Sequence, residues 1–359
     1  MKQIKRFLTL GLTVALGATT FTGCTAVTED DYSKTVVATY GDQKIYLDEA
    51  NFDARYYQYM YERFYSSYYG SDFWSTDAGS GTMEDNLKEN VMSEIMQTYV
   101  LMEHADEYKV SLSDDDKKKV SKAVKEFLDT SDKKLIKAAD ATEDLVTKVY
   151  TNNALANKVW EAVVANVDTN VTDEEARQVT VKYVLISENN DKYRDGEKTA
   201  KEIADKVKAG KDLDTVCKDY DGLTTSTESY SKNGENNTDL GKKAATLSTG
   251  DITTYQVKGT GWYVLSCTSD DDKDAAKEAK TKIIDERKDE LFNKTYTEWS
   301  KKKFKVEEDV WAKITFDKHT IYEAETTSAN STESSTKSQT ETTSQAQTEA
   351  SSQAQTETK

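Results

Sequence analysis

The sequence predicts an α+β fold, a mainly helical body into which one small α/β unit is inserted. Three features point that way. Helix starts are marked by capping residues through the first half of the chain, the apolar period switches from helical to strand-like at Gln178, and one long helix follows the last strand-like runs.

The elements follow in order. Residues 36–40 and 44–47 flank Gly41-Asp42-Gln43 as a short hairpin. The next helix, over 48–69, carries Tyr56, Tyr57, Tyr59, Tyr61, Phe64, Tyr65, Tyr68 and Tyr69. These aromatics point in too many directions for one core face. Either they fill and rim a bundle, or some line a groove that touches unfolded chains, where tyrosine gives amphipathic contact area at low entropic cost. Thr82 starts a helix with Met83, Leu87, Val91, Ile95 and Met102 along one stripe. Ser113 ahead of Asp114-Asp115-Asp116 caps another, with acids at the positive end of the helix dipole. Thr142 opens a third, through Leu145, Val149, Val159, Trp160 and Val163, and Thr172-Asp173-Glu174-Glu175 reads as a capping box.

From there the pattern is α/β. A strand over 178–186 leads to a charged helix over 194–209 that Gly210 closes. A short helix over 212–220, a polar loop over 221–237, a helix over 239–247 and a turn over 248–251 come next. Strands over 252–257 and 262–267 then meet across 258–261. The long helix, 273–303, carries Ala276, Ile283, Ile284, Leu291, Phe292, Tyr296 and Trp299, and Val310, Trp311, Ile314 and Phe316 are expected to fold back on the helical body.

Composition narrows the function. The 359 residues allow two folded domains. With 48 Lys+Arg against 65 Asp+Glu and a formal charge of −17, phosphates would be repelled, so nucleic acid is not an expected partner. The only histidines, His104 and His319, read as a helix-surface residue and a solvated one; they support neither a metal site nor a Ser-His-Asp hydrolase, and no cofactor is expected. There is no proline, against a usual share of about 5%, so no X-Pro bond slows this chain's own folding. Cys217 and Cys267 both sit on apolar faces, where they could pair or stay buried as free thiols.

The ends are distinctive. Lys2, Lys5 and Arg6 precede an apolar run over 7–16 and then Phe21-Thr22-Gly23-Cys24, a secretory leader over 1–23. That last stretch resembles a bacterial lipobox, with Phe21 where leucine is usual; the resemblance implies lipidation of Cys24 and anchoring on the extracytoplasmic face of the cell membrane. A plain signal peptide with an incidental cysteine is the alternative. Residues 24–34 form a linker. From about Thr326 the chain is Ser, Thr, Gln, Glu and Ala, with Ser-Gln-Ala-Gln-Thr-Glu at 344–349 and 352–357, so 319–359 is expected to be a disordered tail.

The folded part resembles PrsA-type foldase lipoproteins and the related SurA chaperones. The stretch from Val36 through Gly41-Asp42-Gln43-Lys44-Ile45 is similar to the opening hairpin of the SurA N-terminal domain, and Val171-Thr172-Asp173-Glu174-Glu175 to the lead-in of a parvulin domain. Residues 181–186, 210–220, 244–252 and 261–265 are similar to the parvulin strands and helices in order. The resemblance implies a helical chaperone domain over 35–175, a parvulin-like domain over 176–270, and a C-terminal helix over 271–318 that completes the first. It implies unfolded or newly exported proteins as partners, peptidyl-prolyl isomerisation as the family activity, and leaves a homodimer open.

The family's catalytic positions are substituted here. Its first-strand and last-strand histidines fall on Tyr183 and Tyr263, its acidic or cysteine position falls near Leu223-Thr224, and its proline-gripping methionine and aromatics fall on Asn236, Leu240 and Ala245. Isomerisation requires a site that binds the twisted amide better than the planar one, against a barrier of ~18–20 kcal/mol. Asn236 and Ala245 weaken an apolar pocket, so the parvulin-like domain is expected to be degenerate; Tyr183 and Tyr263 either keep a hydroxyl pair or merely complete the sheet core. Client contact is expected at Tyr57, Tyr61, Tyr65, Tyr68 and Trp74. An active isomerase is the main alternative function, and a solute-binding or scaffold lipoprotein one of another class.

Overall fold

The computed structural model describes residues 29–79, 81–234, 237–301 and 304–316, with side chains described from residue 32 onward except 66–71. Cys24 and its leader, Asn236, His319, the tail and the side chain of Tyr68 lie outside the described residues. Among the described residues no helix is long and apolar enough to cross a membrane.

The fold is α+β. β1 (Val36–Tyr40) and β2 (Gln43–Tyr46) form the expected antiparallel hairpin, and α1 (Leu47–Tyr69) leaves it directly. α2 (Met83–Glu103) starts at Thr82 and α3 (Asp114–Thr130) at Ser113. In each the cap hydroxyl accepts from the backbone N–H three residues on, and an aspartate there accepts from the cap's own N–H. A short α4 (Lys133–Ala138) precedes α5 (Glu143–Val164), which Thr142 caps.

The inserted unit begins with β3 (Gln178–Ser187). α6 (Gly196–Lys208) and α7 (Leu213–Cys217) follow, with Gly210 taking the positive φ of +92° that ends α6. Then come β4 (Thr225–Ser231), α8 (Asp239–Ala245), β5 (Ile252–Val257) and β6 (Gly261–Ser269), in an antiparallel sheet of order β4-β3-β6-β5. α9 (Lys273–Trp299) returns to the helical body, where β7 (Phe304–Val306) pairs with β1 and the short α10 (Glu308–Trp311) follows.

Four expectations need correcting. The Thr172–Glu175 box forms, with Thr172 N–H donating to Glu175 at 2.9 Å, but it closes a turn, because β3 takes over at Gln178. The polar run over 221–237 contains β4; an edge strand pairs on one side only, so Thr225–Ser231 needs just one well-buried side chain, Tyr230, to hold it. The long helix stops at Trp299 rather than 303, and three of the residues that follow add a strand to the N-terminal hairpin. His104 is not simply a surface residue: its ring stacks on Trp299 at 3.9 Å, joining the ends of α2 and α9.

The helical body has two cores. The larger combines β1, β2, α1, α2, the C-terminal half of α5, Phe292 and Tyr296 of α9, and Trp311, Ile314 and Phe316, which fold back as expected. The smaller packs Phe52 of α1 against α3, α4 and the start of α5. α1 runs between them, and Asn51, Arg55, Gln58 and Glu62 make a buried polar ladder along it. The rungs are linked: Arg55 Nε donates to Asn51 at 3.3 Å, its Nη1 to Gln58 at 2.7 Å, and Gln58 Nε2 to Glu62 at 2.7 Å. Arg55 also donates to the Thr315 carbonyl at 2.9 Å, Gln58 to that of Phe316 at 3.4 Å, and Lys88 of α2 to that of Ile314 at 2.7 Å. The C-terminal strap is thus gripped by its backbone as well as by its side chains.

In the inserted unit the pleat of β3 sorts the core into two layers. Val184 and Ile186 face α6 and α7, while Val179 and Val181 face α8. Cys217 lies in the first layer and Cys267 in the second, both buried and free. Burial pushes the Cys217 thiol up to about 11 and raises that of Cys267.

Phe316→Ala should cost about 3–5 kcal/mol in urea unfolding, because the ring is 1% exposed. Phe64→Ala, at a ring 62% exposed, should stay within about 0.5 kcal/mol. A thiol reagent at pH 8 should label neither Cys217 nor Cys267 in the native chain and both in urea. Because the folded thiol of Cys217 titrates above its unfolded value of 9.0, its contribution to stability is intact below that pH and lost as pH rises toward about 11. Cys217→Ala should flatten that alkaline decline.

Candidate functional site

On the α8 side of the four-stranded sheet lies a cleft of about 410 Å³. Its walls come from successive strands. Tyr183 stands on β3 and Tyr263 on β6; across that pairing Tyr183 faces Leu265 and Leu185 faces Tyr263, so the two tyrosines are diagonal neighbours on one face. Their ring centroids are 5.6 Å apart at 58°. β4 contributes Glu228 and Tyr230, two residues apart and therefore on the same face. Leu240 of α8 and Val257 of β5 supply the apolar lining, with Thr238 and Asp239 at the start of α8.

Gly241 lets α8 sit close enough to complete this wall, since a Cβ there would lie 2.5 Å from the Tyr230 ring. Tyr230 is 8% exposed, and its hydroxyl donates to Glu228 at 2.5 Å. The Glu228 charge also bears on the Tyr183 hydroxyl across the cleft. Burial and then the Glu228 charge raise the Tyr183 hydroxyl, while burial and then the hydrogen bond to Glu228 hold that of Tyr230 well above the ordinary tyrosine range. Tyr263 is raised by burial first and by its tyrosine and glutamate neighbours second. All three stay protonated at neutral pH, so none serves as a base or nucleophile.

Of the residues the sequence singled out, Tyr183, Tyr263 and Leu240 meet in this cleft, and Ala245 packs against the same cluster. Glu228, Tyr230, Thr238, Asp239 and Val257 were not anticipated as lining. The available signal was the i, i+2 spacing of Glu228 and Tyr230 inside a stretch that reads as loop.

The aromatic set on the helical body is arranged differently. Tyr61 and Tyr65 are 5.7 Å apart, Tyr65 stacks on Phe73 at 5.8 Å, and Trp74 meets Phe316 edge-on at 4.9 Å. Trp74 is 4% exposed, with its indole N–H donating to Glu62 at 3.1 Å, so it belongs to the core. Tyr57 lies apart, half-buried, with its hydroxyl 2.5 Å from Glu94. A larger depression along α9, about 550 Å³, is lined by Glu278, Thr281, Lys282, Asp285, Glu286 and Asp289 and has no aromatic wall. Among the described residues no cluster of three or more His, Cys, Asp or Glu is placed to hold a metal ion.

No family model matches the sequence, and no curated protein matches it. Among solved structures the chain is similar to the peptidylprolyl isomerase PrsA of Bacillus cereus, with 19% identity over 68% of this chain and 95% of that one and a TM-score of 0.33. It is similar to the foldase protein PrsA of Streptococcus pneumoniae, with 18% identity over 68% of this chain and 98% of that one and a TM-score of 0.28. It is also similar to a SurA-like chaperone of Campylobacter jejuni, with 11% identity over 76% of this chain and 98% of that one and a TM-score of 0.27. Each of these three is a PrsA protein or a SurA-like chaperone.

Proposed function

We propose that this chain is a membrane-anchored extracytoplasmic chaperone whose parvulin-like domain binds segments of newly exported proteins with little or no isomerase turnover. The observation that carries this reading is the cleft. It is lined by the residues on which the sequence resemblance sets the isomerase site, is open and aromatic, and holds three neutral tyrosines beside Glu228, of which Tyr230 donates to it. Such a surface suits binding of an extended chain better than stabilisation of a twisted amide, which needs a closed apolar proline pocket and preorganised donors aimed at one carbonyl. The helical body, built from residues on both sides of the insertion, would supply further contact through the half-buried rings of Tyr57, Tyr61 and Tyr65 and through Phe64. The net charge of −17 keeps such aromatic surface from driving self-association. Cys24 would carry the acyl chains that hold the molecule at the membrane. An active isomerase is the second reading, supported by the apolar pair Leu240 and Val257 beside those tyrosines.

Two assays on the full chain separate the readings. Aggregation of an unfolded client should be suppressed at near-stoichiometric ratio, while a prolyl peptide should isomerise within about tenfold of its uncatalysed rate, which proceeds over tens to hundreds of seconds. Faster turnover that Tyr183→Phe or Tyr263→Phe abolishes would establish the isomerase instead. Cys24→Ala should move the chain from the membrane to the soluble fraction on cell fractionation; retention in the membrane would exclude lipidation as the anchor.

A further inference from the structure

We propose that the cleft between Tyr183, Tyr230, Tyr263 and Leu240 is a receptor for a basic side chain, arginine above lysine, on an extended client segment. This deepens the chaperone reading and rests on it. Glu228 is the only carboxylate on the strands that wall the cleft. It accepts from the Tyr230 hydroxyl, yet has no basic partner among the described residues, and none of the described lining residues is basic. One hydroxyl donor orients a carboxylate without cancelling its charge, so the cleft keeps an uncompensated negative centre beside aromatic faces.

A guanidinium matches each part of that arrangement. Its planar fork suits a carboxylate with open lone pairs. The Tyr183 and Tyr263 rings, 5.6 Å apart and inclined at 58°, line the same volume, and a cation within about 6 Å of a ring centroid gains cation–π attraction. Leu240 and Val257 offer apolar surface for the methylene stem. Proline matches only the apolar part, Leu240 and Val257: it has no charge for Glu228 and no fork for the carboxylate. The overall charge of −17 adds attraction for basic segments during encounter.

The test uses the full chain and three unstructured peptides that differ at one central position, Arg, Gln or Pro. The Arg peptide should bind about tenfold tighter than the other two at low salt. The preference should shrink as ionic strength rises from about 0.01 M to about 1 M. Glu228→Gln should remove it while leaving the thermal transition unchanged, and ring resonances of Tyr183 and Tyr263 should shift only with the Arg peptide. Equal binding of the three peptides, or a preference that survives Glu228→Gln, would overturn the proposal. If Glu228→Gln weakens the fold, the ring resonances of the unaltered chain decide. Aggregation suppression on the same sample keeps the two readings apart. Suppression without arginine preference leaves the chaperone standing and removes the basic-side-chain receptor, whereas arginine preference without suppression does the reverse.

Discussion

The backbone of residues 314–316 is held by four side chains from elsewhere in the sequence, Lys88, Arg55 and Gln58 on its carbonyls and Glu84 on the Phe316 N–H, and the helical body depends on that grip. An arginine and a glutamine this deeply buried would each destabilise the fold by several kcal/mol if left without partners. Here the Arg55 guanidinium has Asn51, Gln58 and the Thr315 carbonyl, and its charge lies 5.7 Å from the Phe316 ring centroid. The ladder and the strap therefore satisfy each other. Remove the strap and α1 exposes a polar stripe next to an apolar core; remove the ladder and an extended segment loses partners for its carbonyls.

Because the strap is reached only after the inserted unit, closing the helical body requires the chain to leave it and come back. The crossing point is stitched by hydrogen bonds. Asp272 N–H donates to the Gln178 carbonyl at 3.0 Å, and Thr180 donates to the Asp272 carboxylate at 2.7 Å, so the start of β3 and the start of α9 are held together. Arg287 on α9 reaches the Asp168 and Asn170 carbonyls at 3.0 and 3.2 Å and the Glu175 carboxylate. The Thr172–Glu175 box that fails to start a helix thus fixes the carboxylate that α9 grips. The inserted sheet emerges from this knot, covered by α6 and α7 on one face and only partly by α8 on the other. The uncovered part of the second face is the cleft.

The chemistry of that cleft follows from where the sheet ends. β4 is an edge strand with little apolar content, so its inward residues can be Glu228 and Tyr230 without breaking a core. One buried tyrosine and a glycine beneath it anchor the edge, and the carboxylate beside it stays open to solvent. A glutamate on β3 or β6, paired on both sides, would have no such access.

The sequence by itself determined the elements whose signals are local. Thr82, Ser113 and Thr142 cap helices because a hydroxyl can reach the backbone N–H three residues on, Gly210 ends α6 because its φ is positive, and alternation of apolar residues makes β3 and β6 strands. The fold class and the fold-back of Trp311, Ile314 and Phe316 were legible for the same reason, since face and period are properties of a short stretch; the meeting of Tyr183 with Tyr263 was implied by the family resemblance alone. Tertiary structure alone decided what depends on partners far away in the chain. β4 and β7 lack a strand-like pattern and exist because β3 and β1 offer open edges; His104 matters because Trp299 arrives beside it; and Glu228 becomes a site residue only when Tyr183 and Tyr230 close around it. A residue's period fixes which way it faces, but what it faces is set by chain closure.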